Sequence, residues 1–214
     1  MARPPSPEPV DVKLIDLAAA HLRRFGFRRT TVVAIAHEAG MSHANVYRYF
    51  PSKSALVDAV LDQWLKPIEK GARDIADGPD PASDKLERLV SAVFRAYRRK
   101  LDEDSEIFGI FAAASSGAPG IARKHRNRIF SEFHRVVEEG VSGGSFQLSD
   151  QRAAVLLIGD ALARFLNPLN VSQDRDILAK QLETRMEQIV QMLLKALSNG
   201  QLASKKIGDS LQYL

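Results

Sequence analysis

Cysteine is absent from the 214-residue chain, which rules out disulfides, thiolate metal ligands and a cysteine nucleophile, and fits a reducing compartment. Alternation of apolar and polar residues is missing as well, so strands are not expected. No apolar run is long enough to cross a bilayer: the strongest, AAVLLIGDALARFL (153–166), is interrupted by Asp160 and Arg164. The opening MARPPSPEPV has four prolines and no apolar stretch, so it reads as an arm rather than a signal peptide or a folded element. Internal repeats and low-complexity tracts are lacking too. The expected location is the cytoplasm.

Acidic residues are scarce at one end. Between Val12 and Lys53 only Asp16 and Glu38 stand against seven Lys and Arg, a local net charge of +5 in a chain whose total is +4. A basic amino-terminal quarter beside a near-neutral remainder is what a domain that meets a polyanion needs. The chain is 45% hydrophobic, enough for a substantial core.

The periodicity is helical. Ile15, Ala18, Leu22 and Phe25 form one stripe ending near Gly26. Thr31 caps a short second helix (Val32, Ile35, Ala36, Ala39) that Gly40 stops. Ser42 caps a third helix running to about Tyr49, and Pro51 ends it. Ser52 opens a long fourth helix toward Asp77, kinked at Pro67. After the break DGPDPASD (77–84) come helices near 83–101, 105–116, 119–141, 150–166 and 174–197. The expected fold is all-α with about nine helices: an arm (1–10), an amino-terminal three-helix domain (11–55), a larger helical domain (56–197) joined to it by the long helix, and a tail (198–214).

Three short helices followed by a longer one suggest a helix-turn-helix. Ala36 is small where two helices cross, Gly40 can take a left-handed backbone, and Val46 packs the third helix back. With Val46 and Phe50 inward, a helical wheel puts Ser42, His43, Asn45 and Arg48 on the outer face. Arg48 can chelate a guanine edge and Asn45 an adenine, while His43 and Ser42 can bond to more than one base. The rings of Tyr47 and Tyr49 can lie against sugars while their hydroxyls reach phosphates. Lys53, on the first turn of a helix whose dipole disfavours a cation, and Thr31, at the start of the second helix, complete the phosphate contacts.

Here the chain resembles the amino-terminal domain of TetR-type transcriptional repressors, from Leu14 to about Val60. Gly26-Phe27, Thr31, Ile35-Ala36, Ala39-Gly40, Ser42, Tyr47, Tyr49-Phe50 and Lys53 stand where that family's pattern has them. Leu22 replaces a usual phenylalanine, and Val46 a frequent leucine. His43 and Asn45 occupy positions that vary in the family, so the operator sequence stays open.

The resemblance implies a homodimer formed by the last two helices of each subunit and an effector pocket among the middle helices. Ridges containing Leu157, Ala161 and Phe165, and Leu182, Met186, Ile189 and Leu193, fit either a dimer seam or an ordinary core. Asp160 and Arg164 are spaced for an intrahelical pair at that seam. Trp64, Phe94, Tyr97, Phe108, Phe111, Phe130, Phe133 and His134 gather bulk in the middle helices, as pocket lining or as plain core. His125 and His134 lack ligand spacing, so no metal and no cofactor is expected. The function implied is a ligand-responsive repressor acting as a homodimer on a palindromic double-stranded operator, with an unidentified small-molecule effector and no membrane partner. The rivals are an all-α enzyme, for which no convergent carboxylate pair or nucleophilic set can be placed, and a helical protein-binding adaptor. Effector, operator, target genes and the sign of regulation are not encoded legibly.

Overall fold

The computed structural model describes residues 9–116 and 120–201. Residues 1–8 of the expected arm and 202–214 of the expected tail lie outside these. Among the described residues there are eleven helices and no strand: α1 (Val10–Arg29), α2 (Val32–Ala39), α3 (His43–Tyr49), α4 (Lys53–Ala76), α5 (Ala82–Glu103), α6 (Ser105–Ser115), α7 (Ile121–Ser142), α8 (Gln151–Ala161), α9 (Ala163–Leu166), α10 (Pro168–Gln173) and α11 (Ala179–Ser198).

Two helices exceed the expected count, for a physical reason. The stretch expected as one helix over 150–166 breaks at Leu162, whose φ of −102° and ψ of 9° leave the helical basin and end α8. The helix expected from 174 begins only at Ala179. Between them Asn167 caps α10 by accepting from the Leu169 N–H at 2.9 Å, with Pro168 at the first helical position. Asn-Pro is a start signal that the apolar periodicity overrides on paper.

The chain divides into two compact units, one of Met1–Lys66 with Lys100–His125 and the other of Pro67–Arg99 with Arg126–Leu214. The division therefore crosses α4, α5 and α7, and its first cut falls at Pro67, through which α4 continues as one helix. In the first unit Leu14, Ala18 and Leu22 of α1 are buried, as are Ile35 and Ala36 of α2, Val46 of α3 and Leu56, Val60, Leu61 and Leu65 of α4. The 3.6-residue stripe of each helix supplies these side chains.

In the second unit the Phe94 and Phe165 rings meet edge to face at 5.7 Å. Lys85, buried on α5, is compensated by both carboxylate oxygens of Glu139 at 2.7 and 2.8 Å. Arg164 does not pair with Asp160 as its spacing suggests. It forks onto Asp174, at 2.7 and 2.9 Å, because the break after Ala161 takes the intrahelical register away.

Candidate nucleic-acid interface

Thr31 and Ser42 act as the expected caps. The Thr31 hydroxyl accepts from the Ala34 N–H and that of Ser42 from the Asn45 N–H, both at 3.2 Å. Between the two helices Gly40 takes φ 72°, ψ 33°, and its N–H closes on the Ala36 and His37 carbonyls. That left-handed turn sets the crossing of α2 and α3, and a side chain there would strain it.

Three ties hold the pair on its support. His21 Nε2 of α1 lies 2.6 Å from Glu38 Oε2 of α2, Lys13 Nζ donates to the Ala39 carbonyl at 3.3 Å, and Val46 is fully buried at 0% exposure. With Val46 anchored, α3 turns His43, Ala44, Tyr47, Arg48 and Tyr49 outward, while Asn45 and Phe50 are half-buried. Tyr47 and Tyr49 keep 45% and 44% of their surface. The His43 and Tyr47 rings meet edge to face at 6.4 Å, so one turn of helix stiffens both. The outward face carries a cation, hydrogen-bonding groups and two phenols, and no acid.

Lys53, expected at a phosphate, has partners within the chain. Its ammonium donates to the Phe27 carbonyl at 2.5 Å and sits 4.3 Å from the centroid of the Phe27 ring.

The eight aromatic and histidine side chains expected around an effector divide between the units. Trp64, Phe108 and Phe111 belong to the first, and Phe94, Tyr97, Phe130, Phe133 and His134 to the second. Phe94, Tyr97, Phe108, Phe111 and Phe133 are buried, whereas Trp64, Phe130 and His134 are half-buried. Burial, and secondarily the charge of Glu69, pushes the Tyr97 phenol well above its ordinary range.

Sequence reasoning missed Asp104, which precedes α6. Its Oδ2 accepts from Trp64 Nε1 at 3.1 Å and from Arg23 Nε at 2.9 Å, and Lys100 Nζ lies 4.1 Å from the centroid of the indole. Trp64 and Arg23 are 40 and 81 positions from Asp104, so no local pattern announces them.

Of the side chains expected at a dimer seam, Phe165, Leu182 and Met186 are buried within the subunit. They face its own core because a helix docked on one side turns part of every ridge inward. Leu157, Ile189 and Leu193 keep partial exposure and Ala161 is exposed. Met192, which the ridge reading passed over, is 70% exposed. α8 and α11 contact each other, so these side chains, apart from Phe165 on α9, belong to neighbouring helices.

No helix among the described residues is long and apolar enough to cross a membrane. Among them there is also no cluster of three or more metal-ligating side chains.

Two family descriptions match the chain: "Bacterial regulatory proteins, tetR family" over residues 14–60 and "Tetracyclin repressor-like, C-terminal domain" over residues 82–190. The HTH-type transcriptional repressor KstR2 of Mycobacterium tuberculosis is 37% identical over 84 residues, 39% of this chain and 42% of its own length, so the chain spans less than half of that relative. The protein of the same name from Rhodococcus jostii is 30% identical over 141 residues, 63% of this chain and 67% of its own. A transcriptional regulator from Pseudomonas aeruginosa PAO1 shares the fold with a TM-score of 0.66 at 20% identity, over 93% of this chain and 95% of that one.

Proposed function

The chain belongs to the TetR family of bacterial regulatory proteins, and on that premise we propose that it is a sequence-specific transcriptional repressor that binds a palindromic operator as a homodimer and releases it when a small-molecule effector binds. One observation carries the reading. Val46 is sealed in the core while His43, Tyr47, Arg48 and Tyr49 project from the same short helix, which supports reading that helix as the one that enters the major groove. Ser42, His43, Asn45 and Arg48 read base edges in this proposal, and Thr31, Tyr47 and Tyr49 contact phosphates. The local charge of +5 adds sequence-independent attraction.

Dimerisation is assigned to the surface of α8 and α11 that keeps Leu157, Ala161, Ile189, Met192 and Leu193 accessible. The effector is assigned to the middle helices, where the half-buried Phe130 and His134 of the second unit are the first side chains to vary. The protein acts in the cytoplasm in this reading, with no cofactor and no catalytic residue.

Selection of bound fragments from a random duplex pool tests the proposal. It predicts an inverted repeat whose half-sites lie about one helical turn, or a small multiple of it, apart. Recovery of no enriched sequence would sink it. Sedimentation of Met192→Asp tests the seam: the variant is expected to sediment as a monomer, and an unchanged dimer would move the interface elsewhere.

A further inference from the structure

Lys53 is the first residue of α4, and its ammonium is already engaged twice, by the Phe27 carbonyl at 2.5 Å and by the Phe27 ring at 4.3 Å. Phe27 lies just past Gly26, whose φ of 69° and ψ of 173° break α1. That break is itself tied down, with the Thr30 hydroxyl donating to the Gly26 carbonyl at 2.8 Å. Between Phe27 and Lys53 lie the last two residues of α1 and then the α2–α3 pair with its turns. One side chain therefore joins the two ends of the reading module.

We infer that Lys53 serves operator binding as a positioning residue: with Phe27 it forms a clasp that closes the segment carrying α2 and α3, and so fixes the direction in which α3 presents Arg48 and its neighbours. The inference rests on the operator-binding reading and changes the role that reading would give Lys53. A phosphate contact acts through charge alone. A clasp acts through the fraction of molecules in which α3 is held in the competent pose, since apparent affinity falls by that fraction. The lysine suits this task because its long stem reaches across the break while three N–H donors serve a carbonyl and a π face together. The aromatic ring, half-exposed at 42%, otherwise gains little from its place on the surface.

The two roles differ in their dependence on salt. Operator affinity is measured by fluorescence anisotropy over a series of potassium chloride concentrations for the full-length wild type, Lys53→Met, Lys53→Arg, Phe27→Leu and the Lys53→Met/Phe27→Leu double variant. Lys53→Met is expected to bind about tenfold more weakly, the order supplied by a charged hydrogen bond with a cation–π contact, with an unchanged slope of log K against log salt. Lys53→Arg should recover most of the loss, because a guanidinium can donate and stack as well. Phe27→Leu, which removes no charge, should weaken binding too, and the double variant should bind no worse than Lys53→Met.

The clasp is overturned if Lys53→Met lowers the slope by about one for each lost phosphate contact while Phe27→Leu binds like the wild type. Unchanged affinity in Lys53→Met overturns it as well. Should Lys53→Met fail to fold by circular dichroism, Phe27→Leu decides alone: wild-type affinity refutes the clasp and weakened affinity with the wild-type slope supports it. If the wild type binds no duplex at all, the regulator reading fails separately, and the clasp is judged from melting temperatures. Additive shifts for Lys53→Met and Phe27→Leu then overturn it.

Discussion

Arg48→Ala separates reading from folding more sharply than any other single change. The side chain lies on the exposed face of α3, two residues from the buried Val46, and forms no ion pair among the described residues. Arginine and alanine differ little in helix propensity, so unfolding free energy should change by about 0.5 kcal/mol or less, as for most surface substitutions. In the groove the same deletion removes a bidentate pair with a base edge, about 1–3 kcal/mol per half-site. A dimer presents two such pairs, so operator affinity should fall by about 2–6 kcal/mol, on the order of 30- to 10,000-fold. Anisotropy with the selected operator and with a scrambled duplex of equal length reads both parts. The loss should fall on the selected sequence, and the preference at one base position of each half-site should relax. An equal loss on both duplexes would make Arg48 a phosphate contact. No loss, or a melting temperature lowered by several degrees, would refute the orientation of α3.

Three further outcomes test the packing and electrostatics of the second unit. At Gly140 an added methyl group would lie 2.2 Å from Phe146 Cδ2 and 2.5 Å from Cε2, while Ser145 and Phe146 both donate to the Gly140 carbonyl, at 2.8 and 3.0 Å, and hold the ring in place. Overpacking of about 1–3 kcal/mol or more should outweigh the roughly 1 kcal/mol gained by replacing a helical glycine; Gly140→Ala should melt lower, with Phe146→Leu restoring part of the loss. The Arg135 hydrogen bond holds the Asp77 carboxyl below its ordinary 3.8, so its contribution is present above that pH and lost as pH falls through the depressed value; Asp77→Asn should flatten the acid limb of a melting-temperature profile, and an unchanged limb counts against the pair. Burial first, and Glu69 second, raise the Tyr97 phenol above 10.0, so the neutral form favours folding below pH 10.0 and the advantage is lost as pH rises beyond it. Denaturant unfolding of wild type and Tyr97→Phe across that range should show the alkaline decline only with tyrosine present.

The parts legible in the sequence are those decided within a few residues. Thr31 and Ser42 are caps because hydroxyls at those positions meet amides three residues on, and Gly40 turns because no other residue takes its backbone angles at so little cost. The outward positions of His43 and Arg48 follow from an inward Val46 and Phe50, whereas Asn45, which the same wheel turns outward, is half-buried. The Gly26 break is equally local, but Lys53 is 26 residues from Phe27, and nothing in a helical wheel shows that a lysine at a helix start has a carbonyl waiting for it. Asp104 is hidden for the same reason: as the last of three consecutive acids before a helix it reads as a cap, yet it makes no side-chain cap bond and serves Arg23 and Trp64 instead.

The dimer ridges expose a deeper limit. A period of 3.6 residues says that a helix has an apolar face, and it cannot say whose core that face completes. On α11 Leu182, Met186 and Val190 close on the subunit's own interior, whereas Ile189 and Leu193 stand at its edge and Met192 lies beyond it. Width is therefore the informative quantity. A helix that only finishes a monomer's core needs one arc of apolar side chains, and one that also meets a second subunit needs an additional arc displaced around the axis. In the proposed dimer Met192, 70% exposed beside the half-buried Ile189 and Leu193, belongs to that additional arc on α11.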